Sequence, residues 1–328
     1  MSNSKILTVS VAAYNVEKYI RQNLESITKS KYIDEIEVFV VDDGGKDQTL
    51  TIAGEYKEKY PDSINLVHKE NGGYGTTVNY SVENASGEYI KLLDGDDYFD
   101  TSGLDHLIEK LKEFHADWYV TKVDKVDSTD GSSLGYDNQW IDLSGKLMEI
   151  DDVPPTFLVG MWETTYKTSL VKQSIRKFPE HTLYTDMLFV VYPLPLVKTV
   201  YFADELVYCY RVGRDEQSVS RKSRIKHCEE MISLVDVIKQ YYYEINGNEL
   251  APIIKRRILS YYKWQVLNLM LLPASRKTLN RIKAIEKNAK ANEIEFYDAG
   301  TDSRNIKLLR ITFYMAYWPL VWYGIKTF

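Results

Sequence analysis

Three carboxylates in four residues, Asp94-Gly95-Asp96-Asp97, follow the apolar run Glu88–Leu93 and form the sharpest chemical feature of the chain. Such charges repel one another unless a cation or hydrogen-bond donors compensate them. Hard divalent cations such as Mg²⁺ or Mn²⁺ take oxygen ligands and often keep waters alongside substrate phosphates. An acidic turn with Asp97 capping a local helix is the plainer alternative. A second acidic strand end, Asp42-Asp43, follows Val38-Phe39-Val40-Val41. A carboxylate there can accept a hydrogen bond from a nucleobase imide, although an ordinary Asp-Gly turn leaves the same pattern. Asn71-Gly72-Gly73-Tyr74-Gly75 offers positive φ, close backbone approach to a ligand and a helix N-terminus that favours anions. It is not the dinucleotide fingerprint, because G-x-G-x-x-G is absent. Later, Asp186 stands in an otherwise apolar and aromatic stretch running from Pro154 to Tyr210.

These residues need a frame that brings them together. Ile6–Tyr14, Glu37–Val41, Ile64–His68 and Glu88–Leu93 read as strands. Helical spacing separates them over Glu17–Lys29, Asp47–Tyr60 and Thr76–Asn84, with Asp47 as the predicted N-cap of the second. The alternation predicts βαβ units, a parallel sheet and right-handed crossovers. In such sheets ligands bind beyond the carboxyl ends of the strands, where the acidic pairs fall. A helix over Gly103–Phe114, a strand over Trp118–Val123 and a polar excursion over Asp127–Gln139 follow. Beyond Arg224, helices are expected over Ile225–Tyr243, Leu250–Leu272 and Lys277–Asn292. The expected division is an α/β domain over 1–205 and a mainly helical region over 206–328.

With 328 residues and 44% hydrophobic content, the chain can bury a sizeable core and is not a disordered or low-complexity class. Two cysteines, Cys209 and Cys228, imply no disulfide framework and suggest a reducing compartment. The N-terminus reads directly into a strand, so a secretory leader is not expected. Residues 1–205 hold 20 Lys and Arg against 35 Asp and Glu, whereas residues 206–328 hold 21 against 12. The acidic first part argues against nucleic acid as a partner. The basic second part ends in Ile311–Ile325, a run rich in Trp and Tyr and shorter than a membrane span. It suits an anionic bilayer interface, or packing on its own domain or a second copy. Pro319 predicts two short elements there rather than one helix.

Val9–Ile20, Val40-Val41-Asp42-Asp43-Gly44, Asn71–Asn79 and Leu92–Asp97 together, in this order and spacing, resemble family 2 glycosyltransferases of GT-A fold. The block Phe178-Pro179-Glu180 to Tyr184-Thr185-Asp186 is similar to that family's Glu-Asp element. Leu206–Ser220 resembles a segment of bacterial exopolysaccharide and capsule members. The resemblance covers residues 5–220. It implies an inverting transferase that takes a nucleotide-diphospho-sugar, such as a UDP-sugar, to a glycan or lipid-linked glycan acceptor. It implies donor binding by Ala13, Tyr14, Asp42, Asn71, Gly73 and Asp94. Mn²⁺ or Mg²⁺ would sit on Asp96 with Asp94, and Asp186 would be the general base. His181 and His227 are candidates for a third metal ligand, each also readable as a structural histidine.

Two positions depart from the family pattern. Thr185 stands where Glu usually precedes the base, and Val78 where Arg often precedes the Asn. Arg211–Ser218 offers guanidinium groups to a diphosphate or to an acceptor phosphate, or else forms a structural turn linking sheet to helices. A sugar-nucleotide pyrophosphorylase would open with a Gly-rich, Arg-containing loop after the first strand, and Ala12-Ala13-Tyr14-Asn15 stands there instead. A catalytically silent carbohydrate-binding or scaffold subunit is the remaining alternative, and the joint presence of Asp42, Asp94, Asp96 and Asp186 argues against it. Nucleotide sugars are made in the cytoplasm, so the expected location is cytoplasmic, with peripheral contact to the inner membrane face.

Overall fold

The computed structural model describes residues 4–136, 138–174, 176–213 and 217–323. It divides into two compact units, Met1–Gly213 and Arg214–Phe328. The division lies beyond the expected 205/206 boundary because the last strand of the first unit continues to Val212.

The first unit begins with β1 (Leu7–Ala13), α1 (Ile20–Thr28), β2 (Ile36–Asp42), α2 (Thr49–Lys59), β3 (Ile64–His68), α3 (Tyr74–Asn84) and β4 (Tyr89–Asp94). These strands pair in parallel in the order β3-β2-β1-β4, as the alternation predicts. Leu7 to Val11 is buried at every position, as expected of a strand covered on both faces. Its two polar residues find partners: Thr8 Oγ1 donates to Glu37 Oε2 at 2.7 Å and Ser10 Oγ to Ser81 Oγ at 2.7 Å. The α2 N-cap is Gln48 rather than Asp47. Asp47 nonetheless accepts from the backbone N–H groups of Thr49 and Glu17, tying the starts of two loops together.

The rest of the sheet is not parallel throughout. It comprises β5 (Tyr98–Phe99), β6 (Trp118–Asp127), β7 (Lys146–Glu149), β8 (Thr164–Lys167) and β9 (Thr199–Val212), with α4 (Thr101–Phe114), α5 (Thr168–Ser174) and α6 (Asp186–Val191) between them. β8 pairs antiparallel with both β4 and β6, and β9 runs parallel to β6 but antiparallel to β5 and β7. The result is a mixed sheet ordered β3-β2-β1-β4-β8-β6-β9-β5. The helix after the acidic turn is capped by Asp100, which accepts from Gly103 N at 2.7 Å, and not by Asp97.

The second unit is helical among its described residues: α7 (Arg221–Lys226), α8 (Cys228–Glu244), α9 (Pro252–Leu259), α10 (Tyr262–Leu269), α11 (Arg276–Asn292), α12 (Ile294–Ala299), α13 (Arg304–Ile311) and α14 (Tyr317–Trp322). Glu286 of α11 is buried and accepts from Tyr262 Oη at 2.5 Å and from Arg310 Nε at 2.6 Å. A buried charge is tolerated only when paired in this way, and the trio fastens α10, α11 and α13. Both cysteines are free and buried, and burial pushes the thiols up to about 12 for Cys209 and about 11 for Cys228.

Candidate active site

The carboxyl ends of β2, β1 and β4 lie side by side. Ala13 stands opposite Asp42, and Ala12 opposite Asp94. Asp42 and Asp94 thus share one rim, separated by one strand, or roughly 10 Å at ordinary strand spacing. Ala13 is buried at the end of β1, and Tyr14 beyond it is 53% exposed at the rim. Asn15 adopts φ of 54° and accepts from Lys46 N at 2.8 Å, lacing the β1 and β2 loops together.

Asp42 is fully buried. Its carboxylate accepts from Gly45 N at 3.2 Å and lies 2.6 Å from His68 Nδ1. Asp43 plays a different part. It accepts from Lys69 Nζ at 2.6 Å, Gly72 N at 2.9 Å and Gly73 N at 2.8 Å. Asn71 Nδ2 donates to the Asp43 carbonyl at 2.9 Å. The N–H groups of the glycine loop are therefore directed at Asp43, which anchors the loop to β2. Burial pushes the Asp43 carboxyl up, but Lys69 and the two glycine N–H groups outweigh it and hold the group below the usual carboxylate range.

That depression has a pH consequence. A carboxyl held low in the folded state stabilises it fully above the unfolded value near 4, and the gain is lost as pH falls through the depressed value. Asp43→Asn should cost about 1–3 kcal/mol at pH 7, the usual range when a buried donor loses its charged acceptor. Chemical denaturation from pH 7 to pH 3 should show the gap from wild type closing on acidification. A gap that stays constant to pH 3 would contradict the role assigned to the charge.

Asp94, Asp96 and Asp97 bring carboxylate oxygens within 4.8 Å of one another. Asp97 is spoken for within the protein: Tyr208 Oη donates to it at 2.8 Å and Arg211 N at 2.8 Å. Burial and the charges of Asp96 and Asp94 push its carboxyl well above the usual range. Asp94 and Asp96 are half-buried at the rim, and their carboxylates are oxygen donors of the kind hard divalent cations take. The third carboxylate of the group is Asp97. His227 belongs to the second unit and lies 2.6 Å from Glu230, and His181 is exposed, with its N–H donating to the Gly72 carbonyl at 2.6 Å.

Arg211 turns inward. Its Nε donates to the Asp96 carbonyl at 2.8 Å and Nη2 to Gln22 Oε1 at 2.8 Å, with the guanidinium between the Tyr19 and Tyr98 rings. Arg211 is thus bonded both to the acidic turn and to α1. Arg214, Asp215 and Glu216 of the same segment lie outside the described residues.

Asp186 is the first residue of α6 and is half-buried. Tyr74 opens α3 and feels the charges of both Asp186 and the acidic turn. Its hydroxyl is pushed well above the usual phenol value by burial, then by the carboxylates of Asp94 and Asp186, with Asp94 also a hydrogen-bond partner. The same hydroxyl lies 3.4 Å from Met161 Sδ. Next to Met161, the Trp162 carbonyl accepts from the buried Lys91 ammonium at 2.8 Å. Burial drives Lys91 down to about 7, with Glu163 opposing the shift. Tyr74 was not singled out from sequence, and neither was Asp43 as the loop anchor. The only signal for Asp43 was its place beside Asp42.

The acidic rim lies on a mixed sheet of GT-A type. Residues 8–160 match the family model described as glycosyl transferase family 2. Glycosyltransferase GlyA of Streptococcus pneumoniae serotype 4 is 28% identical over 226 residues, which is 65% of this chain and 31% of that protein. TarS of Staphylococcus aureus, a poly(ribitol-phosphate) β-N-acetylglucosaminyltransferase, is 28% identical over 218 residues, 65% of this chain and 36% of TarS. The chain thus spans about a third of the length of these two curated relatives. The fold is similar to a TarS fragment solved with UDP-GlcNAc, with a TM-score of 0.62 over 94% of this chain and 92% of that one, at 20% identity. It is also similar to mannosyltransferase PcManGT of Pyrobaculum calidifontis, solved with GDP-Man and Mn²⁺, with a TM-score of 0.56 over 98% of this chain and 87% of that one, at 17% identity.

Proposed function

We propose that the chain is a metal-dependent, inverting glycosyltransferase that moves a sugar from a nucleotide-diphospho-sugar, in first place a UDP-sugar, to a glycan or lipid-linked glycan acceptor in cell-surface polysaccharide synthesis. The observation that carries this reading is the acidic rim: Asp42 and Asp94 end the strands on either side of β1, and carboxylate oxygens of Asp94, Asp96 and Asp97 lie within 4.8 Å of one another. Such a rim supports a nucleotide-diphospho-sugar held through a divalent cation. The names of relatives favour a cell-wall glycan: TarS acts on poly(ribitol-phosphate) and the TarS structure holds UDP-GlcNAc.

In this reading Asp42 accepts from the nucleobase, with Ala13, Tyr14, Asn71 and Gly73 lining the donor, and Asp94 lies by the ribose. Asp96 and Asp94 would hold Mn²⁺ or Mg²⁺, which when bound offsets the charge developing on the diphosphate leaving group. The acceptor hydroxyl oxygen forms a bond to the anomeric carbon while the bond from that carbon to the β-phosphate oxygen breaks. The bonding pair leaves with the nucleoside diphosphate, and the acceptor proton passes to the Asp186 carboxylate. One displacement inverts the anomeric centre. A panel of UDP-, GDP-, dTDP- and CDP-sugars tests the reading: at least one should raise the melting temperature in Mn²⁺ and release its nucleoside diphosphate. If no nucleotide sugar binds to the folded protein with metal present, the proposal fails.

Peripheral attachment to the inner membrane face belongs to the same reading. Among the described residues, no helix is long and apolar enough to cross a membrane. Phe313, Met315, Trp322 and Tyr323 are all more than 70% exposed, whereas Trp318 is half-buried between the Tyr317 and Trp322 rings. Among the described residues of the tail, Ile311 ends α13 and Tyr317–Trp322 form α14; the break falls at Phe313 and Tyr314, both at positive φ, and Pro319, expected to divide the segment, lies inside α14. Lys283, Lys287, Lys290 and Lys307 are exposed in this unit, and Lys283 Nζ lies 5.5 Å from the Tyr314 ring centroid. Each basic residue near an anionic surface contributes about 1 kcal/mol. Arg310 does not serve here, since it is committed to Glu286. Gly324, Ile325 and Lys326 of the tail lie outside the described residues. Liposome flotation should show binding to anionic vesicles that weakens with salt and on replacing Phe313, Met315 and Trp322 with Ser. Absence of binding at low salt would leave the patch to another role, such as contact with a second copy.

A further inference from the structure

The segment that delivers Asp186 has no sheet or helix ladder of its own. Residues 176–185 carry neither strand nor helix, and both His181 and Tyr184 adopt positive φ, at 49° and 64°. A non-glycine backbone in that region persists only where its surroundings hold it. The surroundings here are the first turns of α3. Asn79 Oδ1 accepts from Phe178 N at 2.9 Å, and Asn79 Nδ2 donates to the Phe178 carbonyl at 3.1 Å. One side-chain amide thus satisfies both backbone groups of Phe178, as a neighbouring strand would. Phe178 is itself buried and stacked on Tyr192, just beyond the end of α6.

Two glycines complete the contact. A Cβ on Gly75 would stand 2.7 Å from the Pro179 carbonyl oxygen, 2.9 Å from Phe178 Cβ and 3.3 Å from Thr185 Oγ1. A Cβ on Gly73, at φ of 86°, would meet His181 Cα and N at 3.1 Å. The His181 N–H donates to the Gly72 carbonyl at 2.6 Å. From Gly72 to Asn79, the start of α3 therefore meets the base-bearing segment at both ends, Phe178 and Thr185, and at His181 between them.

We propose that Asn79 is a positioning residue for Asp186: its paired hydrogen bonds to Phe178 fix the start of the segment that aims the carboxylate at the acceptor. The proposal rests on Asp186 being the general base. It gives Asn79, and the closeness of Gly75, a part in acceptor activation rather than in holding the nucleotide. Asn79 and Asp186 act in series, so removing the clamp matters only while the base is present.

The test is a double-mutant cycle on the full chain with Asn79→Ala, Asp186→Asn and both together. The donor is whichever nucleotide sugar of the panel gives the fastest release of nucleoside diphosphate, and binding is read with that nucleoside diphosphate and Mn²⁺. Asn79→Ala should lower kcat by about 10²-fold, the cost of a misplacement near 1 Å. Nucleoside diphosphate affinity should be unchanged. In the Asp186→Asn background, the same substitution should cost nothing further. Asn79→Asp, which keeps the acceptor for Phe178 N–H but loses the donor, serves if the alanine variant does not fold, and should fall between wild type and Asn79→Ala. Wild-type kcat in a folded Asn79 variant, with Asp186→Asn inactive, would overturn the positioning role and leave the base standing. Full turnover in Asp186→Asn would overturn the base itself. Losses that multiply in the double variant, or nucleotide affinity falling with kcat, would make Asn79 a structural or donor-binding residue.

Discussion

Asp186→Asn will lower sugar transfer by about 10²–10⁴-fold, the usual cost of losing a general base, while donor affinity stays at the wild-type level. The substitution keeps the shape and size of the side chain and removes only its capacity to take a proton. Asp186 opens α6, whose following residues Met187 to Val191 are all buried, so the helix is held by its apolar body. The exchange should therefore leave the melting temperature nearly unchanged. Steady-state kinetics at saturating donor, paired with calorimetric titration of the nucleoside diphosphate, separates the two effects. A variant with normal kcat and weakened donor binding would make Asp186 a binding residue.

Asp96→Ala should remove metal-dependent binding and transfer together. Offsetting leaving-group charge is worth several kcal/mol, so a fall of at least about 10³-fold, equivalent to about 4 kcal/mol, is expected. Chelation of wild type with EDTA should reproduce the loss, and added Mn²⁺ should restore wild type but not the variant. Asp97→Asn should behave differently. Its carboxylate receives Tyr208 and the Arg211 backbone N–H inside the protein, so the main effect should be on stability. Full activity of Asp96→Ala in the presence of chelator would refute the metal assignment.

The rim was legible in the sequence for a physical reason. Four apolar runs each ending in polar residues, with helical spacing between them, permit few arrangements, and parallel pairing then sets Asp42 and Asp94 at one edge. Of the second half of the sheet, only β6 was legible, as the strand read over Trp118–Val123. β9 runs 14 residues through an apolar, aromatic stretch buried on both faces, and period-2 alternation vanishes in such a strand. β5, β7 and β8 have only two to four residues each, too short for a pattern to emerge. Side chains that turn inward were also hidden. Asn79 meets Phe178 across 99 residues and Arg211 N meets Asp97 across 114, and local spacing carries no trace of such partners. For Asp43 and Arg211 the sequence leaves ligand-facing and structural readings open, and only tertiary placement shows their bonds to the glycine loop and the acidic turn.

The anomeric configuration of the first product tests the central claim most directly. An α-linked UDP-sugar from the panel, incubated with wild-type protein and Mn²⁺ without added acceptor, offers water in place of the acceptor hydroxyl. Proton NMR at early times, before mutarotation, resolves the released sugar by the coupling constant of its anomeric proton. A single displacement with Asp186 as base predicts the β anomer first. Appearance of the α anomer first would mean retention, and would contradict the one-base mechanism on which the account of this site is built.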